Sequence, residues 1–206
     1  MKRRFDFPVT LAICVLAIAS TAAAFASPGI RDALAVQGPL RVISGPLVHA
    51  TWGHLTRDLA LVALAGIAYE GPLARYRVAL FGGGLVVPAL AVLITHEADW
   101  YCGLSGLSHA LLAAAFAYEA VNRRGRTRAI VRAVGVVALL KPVYELLSGG
   151  PVFPMSLGPG VGEHVPLAHF TGVLVGMGCG LRAALNARPS RRAPSGERSR
   201  PCRSRC

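Results

Sequence analysis

Six apolar segments, each long enough to cross a lipid bilayer, constrain the fold of this chain more than any other feature of its sequence. A membrane-spanning helix needs about 20 mostly apolar residues, and only helices or closed barrels satisfy every backbone polar group in lipid. We therefore predict an all-α polytopic membrane protein built as a six-helix bundle. The six segments are approximately residues 7–26, 48–69, 76–95, 103–121, 129–147 and 166–185.

The composition agrees with a chain whose surroundings are mostly lipid. Hydrophobic residues make up 53% of the chain and charged residues only 16%, which is too little charge for the surface of a soluble domain. The formal net charge is +12, but the basic residues lie in short tracts between apolar segments and in the C-terminal tail. A basic face on one folded surface is not indicated, so we expect a lipid bilayer and no nucleic acid as partner.

The positions of the basic residues predict the orientation, because Lys and Arg are concentrated in cytoplasmic loops. They occur at the N-terminus ("MKRR"), in the second–third and fourth–fifth connections ("EGPLARYR" and "NRRGRTR") and in the tail. The third–fourth and fifth–sixth connections contain neither Lys nor Arg, and the first–second connection has only Arg31 and Arg41. This alternation predicts six spans, with the N-terminus and the C-terminus both in the cytoplasm.

We divide the chain into a membrane domain, residues 1–185, and a basic tail, residues 186–206, whose composition is typical of disordered segments. The first apolar segment has a competing interpretation, because "MKRR" precedes it and "AFA" near its end resembles a signal-peptide cleavage site. A retained helix makes the predicted orientation consistent, and cleavage stays open as the alternative. The five cysteines suggest neither a disulfide framework nor a metal site, so we expect no metal and no cofactor.

Polar side chains inside predicted spans are candidates for function, because burying them in a membrane costs free energy. His54 and Asp58 lie near the outer end of the second segment and, being four residues apart, on one helical face. Ser105 lies in the first turns of the fourth segment, and His169 lies near the outer end of the sixth. Three separated segments thus place Ser105, His169 and His54 at a similar depth near the outer surface.

Small residues allow the fourth and sixth segments to approach each other closely, since GxxxG spacing permits tight helix contact. If the two faces meet, Ser105 and His169 come within hydrogen-bond reach, and the imidazole can take the serine proton during attack on a carbonyl. A structural alternative exists, because a lone serine in a membrane helix often bonds to the carbonyl one turn earlier. The small residues are Gly103 and Gly106 in the fourth segment and Gly172, Gly176 and Gly180 in the sixth.

We assign structural roles to the other polar groups of the spans. His109 is interpreted as a hydrogen-bonding group rather than a base, and Lys141 and Glu145, four residues apart, as an ion pair rather than substrate contacts. Several further residues lie near the predicted membrane surface, where polarity costs little. These are His49, His96 and His164 as solvated or structural histidines, Glu97 and Asp99 as solvated loop charges, and Trp100 and Tyr101 as an interfacial aromatic anchor.

Three motifs together resemble the rhomboid family of intramembrane serine proteases. "HATWGHLTRD" resembles the second-helix pattern His-x4-His-x3-Asn, "GLSG" the Gly-x-Ser-Gly of the nucleophile helix, and "AHFTGVLVG" the last helix with its catalytic histidine. The resemblance spans about residues 49–180, which is five of the six predicted spans. It implies that Ser105 is the nucleophile and His169 the general base and then acid. It also implies that His54 and the backbone N–H of Ser105 stabilise the oxyanion.

No acidic third member is evident beside Ser105 and His169, so we expect a dyad. One feature of the site departs from the family pattern. Asp58 stands where rhomboids usually have the asparagine that helps to bind the oxyanion, and an ionised carboxylate there would repel that oxyanion. Asp58 is therefore either protonated by burial or used to orient His54.

A narrower similarity is to rhombosortases, a compact bacterial branch with six spans. "WYCGLSGLSH" is similar to the nucleophile segment of that branch, and "KPVYE" to its fifth-helix Lys-x3-Glu. The similarity implies a membrane-protein substrate with a C-terminal transmembrane sorting helix, of the GlyGly-CTERM type. It also implies a place in the bacterial inner membrane, with the active site facing the periplasm. The competing classes are a catalytically inactive rhomboid-like protein that binds transmembrane helices and a small transporter, for which repeated, broken spans would be typical.

Overall fold

The computed structural model describes residues 7–35, 41–95, 101–152 and 165–187, and within them the chain is helical with no β-strand. The predicted all-α class is confirmed. A π-helical turn, Val78–Gly82, leads directly into the fifth helix. The helices are α1 (Pro8–Ala26), α2 (Pro28–Ala35), α3 (Arg41–Ser44), α4 (Trp52–Tyr69), α5 (Gly83–Thr95), α6 (Ser105–Asn122), α7 (Gly125–Ser148) and α8 (Pro166–Ala187).

Six long helices coincide with the six predicted apolar segments: α1, α4, the π-turn with α5, α6, α7 and α8. Three of them are long and apolar enough by themselves to cross a membrane, namely Pro8–Ala26, Val78–Thr95 and Pro166–Ala187. The other three have lower hydropathy because they carry polar and charged side chains. The count of six spans and the cytoplasmic termini therefore stay predictions.

Some predicted features lie outside the described residues. These are His96, Glu97, Asp99, Trp100, His164 and the tail from residue 188 onward.

Helix α6 occupies the centre of the bundle. Its buried residues, which include Leu107, Ala110, Leu111 and Ala114, lie on several faces of the helix, as expected of a helix enclosed by others. It packs against α4, α5, α7 and α8. The residue that begins α6 is Ser105, so the candidate nucleophile stands at the end of the best-enclosed helix.

The backbones of α6 and α8 touch along three successive turns. A Cβ atom added at any of three glycines of α8 would lie only 2.0 to 2.3 Å from a carbonyl oxygen of α6, which is far inside van der Waals contact. Only glycine therefore permits this packing, and the predicted meeting of the two small-residue faces is confirmed. The contacts are Gly172 on Gly106, Gly176 on Ala110 and Gly180 on Ala114.

Helix α1 is fixed to the far end of α4 by the buried carboxylate of Glu70. That carboxylate accepts hydrogen bonds from the backbone N–H groups of Val9 (3.0 Å) and Thr10 (2.8 Å) and from the Thr10 hydroxyl (2.6 Å). It also forms an ion pair with Arg77. The carboxylate thus satisfies donors in the first turn of α1 that have no intrahelical acceptor. It also connects the first apolar segment to α4 and so to the rest of the bundle.

The glycine contacts predict a sharp difference between two neighbouring substitutions in α8. Gly176→Ala should lower the stability by about 1–3 kcal/mol or more, because the methyl group forces α8 away from the Ala110 carbonyl. Gly178→Ala should leave stability unchanged or slightly raised, since no atom lies within 4 Å of a Cβ at that position and alanine is the better helix former. The midpoint of thermal unfolding in detergent compares the two; equal midpoints would contradict the packing.

Candidate active site

A tight turn at Gly103 delivers the chain to the start of α6. Gly103 has φ +101°, a conformation that residues with a Cβ rarely adopt. A Cβ there would also lie 2.7 Å from the His54 ring. The turn leaves Ser105 as the first residue of α6, where a backbone N–H has no intrahelical acceptor and the helix dipole is positive. This is the arrangement that favours a negative oxygen beside the serine.

Tyr101 is part of the site, and its predicted role as an interfacial anchor is wrong. Its side chain is only 5% exposed and packs with Ala89, Val92 and Ala168. Its hydroxyl approaches the side chain of Ser105 and the backbone of Gly106. The local sequence could not predict this burial, because an interfacial tyrosine and a buried tyrosine can have the same neighbours along the chain.

His169 is buried near the start of α8, and two groups fix its ring. Its face stacks on the imidazole of His109, with ring centroids 4.2 Å apart and planes inclined by 16°. Its Nδ1 atom lies 3.0 Å from Oε2 of Glu145. The structure therefore holds the candidate base by one face and one edge.

His109 is itself anchored to the backbone of α6. Its Nδ1 atom lies 2.7 Å from the carbonyl oxygen of Ser105, and since a carbonyl only accepts, that nitrogen carries the hydrogen. His109 thus connects the backbone of the candidate nucleophile to the ring of His169. This geometry fits the structural role assigned to it.

The helix contact joins the two helix ends that carry the candidate catalytic residues. Gly172, one turn after His169, lies against the backbone of Gly106, which directly follows Ser105. The ends of α6 and α8 that carry Ser105 and His169 are therefore the ends that touch. The small residues thus allow a close approach of two helix ends whose candidate residues, Ser105 and His169, are 64 positions apart in sequence.

Glu145 connects α7 to this pair. Nζ of Lys141 lies 2.8 Å from each of its carboxylate oxygens, so the predicted ion pair is confirmed. The backbone N–H of Val152 donates to Oε1 at 3.1 Å, and Nδ1 of His169 meets Oε2. The expectation that no acidic group stands beside His169 is wrong, because packing of α7 on α8 supplies one that local spacing does not reveal.

A second polar cluster joins the start of α4 to the loop before α6. Oδ2 of Asp58 lies 3.2 Å from Nε2 of His49 and 3.4 Å from Nε2 of His54. His49 is only 1% exposed, which excludes the solvated alternative for this histidine. Its ring also contacts the backbone N–H of Leu104 at 3.3 Å and the hydroxyl of Thr21 in α1 at 3.2 Å.

The position of Asp58 between two imidazoles favours the orienting alternative for this residue. Its Oδ2 atom engages one ring nitrogen of His54, while the other, Nδ1, is buried and has no hydrogen-bond partner within the described part of the chain. A buried polar atom without a partner costs free energy. The Cε1 and Nε2 side of the same ring lies against Gly103, in the turn that precedes Ser105.

The sequence model of the Rhomboid domain family matches residues 37–185. The chain belongs to the rhomboid family. The match covers every helix that carries a candidate catalytic residue, and it begins after α1. Members of this family are generally intramembrane serine peptidases. No curated protein matches the chain.

Both polar clusters of this rhomboid protein lie within the residues that match the family model. The contact of His169 with Glu145 joins α8 to α7, and the cluster of His49, His54 and Asp58 lies beside the Gly103 turn that leads to Ser105. Among the residues that the structure describes, no group of three or more His, Cys, Asp or Glu side chains is arranged to hold a metal ion.

The Asp58 contacts predict a graded loss of stability. Asp58→Leu should destabilise the protein by about 3–5 kcal/mol, because it leaves two buried imidazoles without their common partner. Asp58→Asn keeps an acceptor oxygen and should cost about 1–3 kcal/mol. Unfolding in detergent measures both against Asp32→Asn, a control at the exposed pair of Asp32 with Arg31, which should change little. An Asp58→Leu protein as stable as the wild type would contradict the bridging role.

Proposed function

We propose that this rhomboid-family chain is an active intramembrane serine endopeptidase with Ser105 as nucleophile and His169 as general base and acid. The observation that carries the proposal is the contact of Gly172 with Gly106, which holds the two helix ends bearing these residues together. The anchoring of His169 by His109 adds to it, because a base must be held in a defined orientation to act.

The proposed reaction is acyl transfer through Ser105, with His169 moving the proton. Oγ of Ser105 attacks the substrate carbonyl carbon while its proton moves to Nε2 of His169, and the carbonyl π electrons become the oxyanion. The tetrahedral intermediate then breaks its C–N bond, and the proton on His169 passes to the leaving amine. Water then attacks the acyl-enzyme while His169 takes one of its protons, and His169 passes that proton to Oγ of Ser105 as the ester C–O bond breaks. This step releases the new carboxyl terminus and restores Ser105.

Two donors are proposed for the oxyanion. The backbone N–H of Ser105 stands at the first position of α6, and the His54 ring has a buried nitrogen without a partner among the described residues. Asp58 orients His54 by accepting a hydrogen bond from its Nε2, so His54 donates to the oxyanion from Nδ1 as the imidazolium, with a hydrogen on each ring nitrogen. Asp58 does not itself contact the substrate. Removing one oxyanion donor typically costs about 10²–10³ in rate.

We further propose the rhombosortase branch, with substrates that carry a C-terminal transmembrane sorting helix of the GlyGly-CTERM type. The residues behind this narrower similarity are His109, Lys141 and Glu145. Their contacts support the proposal, because His109 and Glu145 both touch His169 and Lys141 holds Glu145. The protein then lies in the bacterial inner membrane, as six spans with cytoplasmic termini and a site that faces the periplasm.

A reconstituted cleavage assay tests this function. Wild-type protein in lipid vesicles should cleave a reporter that ends in a Gly-Gly segment followed by a transmembrane helix. Ser105→Ala and His169→Ala should each abolish cleavage, because they remove the nucleophile or its base. Ser108→Ala is the matched control, since Ser108 lies on the same helix with its hydroxyl bound to the Leu104 carbonyl, and it should retain activity.

Two results bear on different levels of the proposal. Cleavage that persists in Ser105→Ala would refute the serine mechanism. Cleavage that needs Ser105 but is unaffected by replacing the Gly-Gly segment would leave a rhomboid protease and refute the proposed branch.

A further inference from the structure

The carboxylate of Glu145 is screened from solvent and lies against the candidate base. The residue is 1% exposed and lies within α7, a helix of the bundle. An ionised carboxylate in such a place must be paired. Lys141 and the N–H of Val152 both donate to it, which identifies it as an acceptor.

The ion pair with Lys141 does not by itself explain the contact with His169. Residues four apart on a helix pair without help from another helix, whereas the 3.0 Å contact from Oε2 to Nδ1 joins α7 to α8. Because the carboxylate accepts, Nδ1 of His169 carries the hydrogen. That tautomer leaves the lone pair on Nε2, which is the form that can take a proton from serine.

We propose that Glu145 is a positioning residue for His169, so that the site acts as a Ser105–His169–Glu145 triad in place of a dyad. This proposal rests on the proposed function, because it assigns Glu145 a part in the same reaction. Lys141 in turn fixes the carboxylate through both of its oxygens.

The negative charge of Glu145 stabilises the positive charge that His169 acquires during the reaction. When His169 takes the proton of Ser105, an imidazolium forms inside the bundle, and the negative charge of Glu145 compensates it. The proton stays on His169 and does not pass to Glu145. The hydrogen bond at Nδ1 and the stacked ring of His109 together prevent the imidazole from turning away from Ser105.

Steady-state kinetics of the full-length protein in vesicles tests the role of Glu145. Glu145→Gln should lower kcat about 10²–10⁴-fold with KM changed little, because the substrate does not contact this residue while the imidazolium loses its partner. Glu145→Asp keeps the charge and should recover part of kcat. The matched control is Glu119→Gln, which removes a carboxylate paired with Tyr69 and Arg123 at the other end of α6, and it should keep kcat within about twofold.

A second variant separates a catalytic defect from a folding defect. Glu145→Gln leaves Lys141 without its partner, so the double variant Lys141→Met, Glu145→Gln removes both charges and avoids an uncompensated buried ion. It should unfold near the wild-type temperature and show the same loss of kcat as Glu145→Gln.

The outcomes separate the triad from the proposed function. A folded double variant with kcat within about threefold of the wild type, beside an inactive Ser105→Ala, would overturn the triad and leave the serine protease intact. Wild-type protein that cleaves no reporter, or that cleaves equally well as Ser105→Ala, would overturn both.

Discussion

Backbone contact between α6 and α8 is the constraint on which the rest of the structure depends. Three glycines of α8 stand where any side chain would collide with a carbonyl of α6, so the two helices approach as closely as backbones can. This contact lays the turn of α8 that follows His169 against the first turn of α6, which begins at Ser105. In a membrane, where the hydrophobic effect does little to join helices, such packing is a main source of association.

Among the described residues, each buried carboxylate has a partner outside its own helix. Glu70 joins α1 to α4, and Glu145 joins α7 to α8. Asp58 joins α4 to the chain that precedes it through His49. These contacts offset the free-energy cost of burying charged groups, and they fix the register of the helices. The same network therefore supports the fold and orients the candidate base and oxyanion donor.

The sequence predicted the features that depend on local spacing. Apolar segments located the six long helices, GxxxG spacing indicated the α6–α8 contact, and the interval of four between Lys141 and Glu145 indicated their ion pair. The contact of Glu145 with His169 was missed, because it arises from packing between helices and has no local pattern. Tyr101 was misassigned for the same reason, since its burial depends on α5 and α8. The placement of Asp58 between two imidazoles favours one of the alternatives that the family resemblance had left open.

We propose that the contact of α6 with α8 makes Ser105 a nucleophile, and a covalent serine reagent measures this reactivity. The full-length protein in vesicles is treated with a fluorophosphonate, and the modified residue is mapped by mass spectrometry. We expect modification at Ser105 in the wild type, much slower modification in His169→Ala, and none at Ser108. Two results would contradict this proposal: Ser105 that stays unmodified in the wild type, or Ser105 that is modified equally fast in His169→Ala.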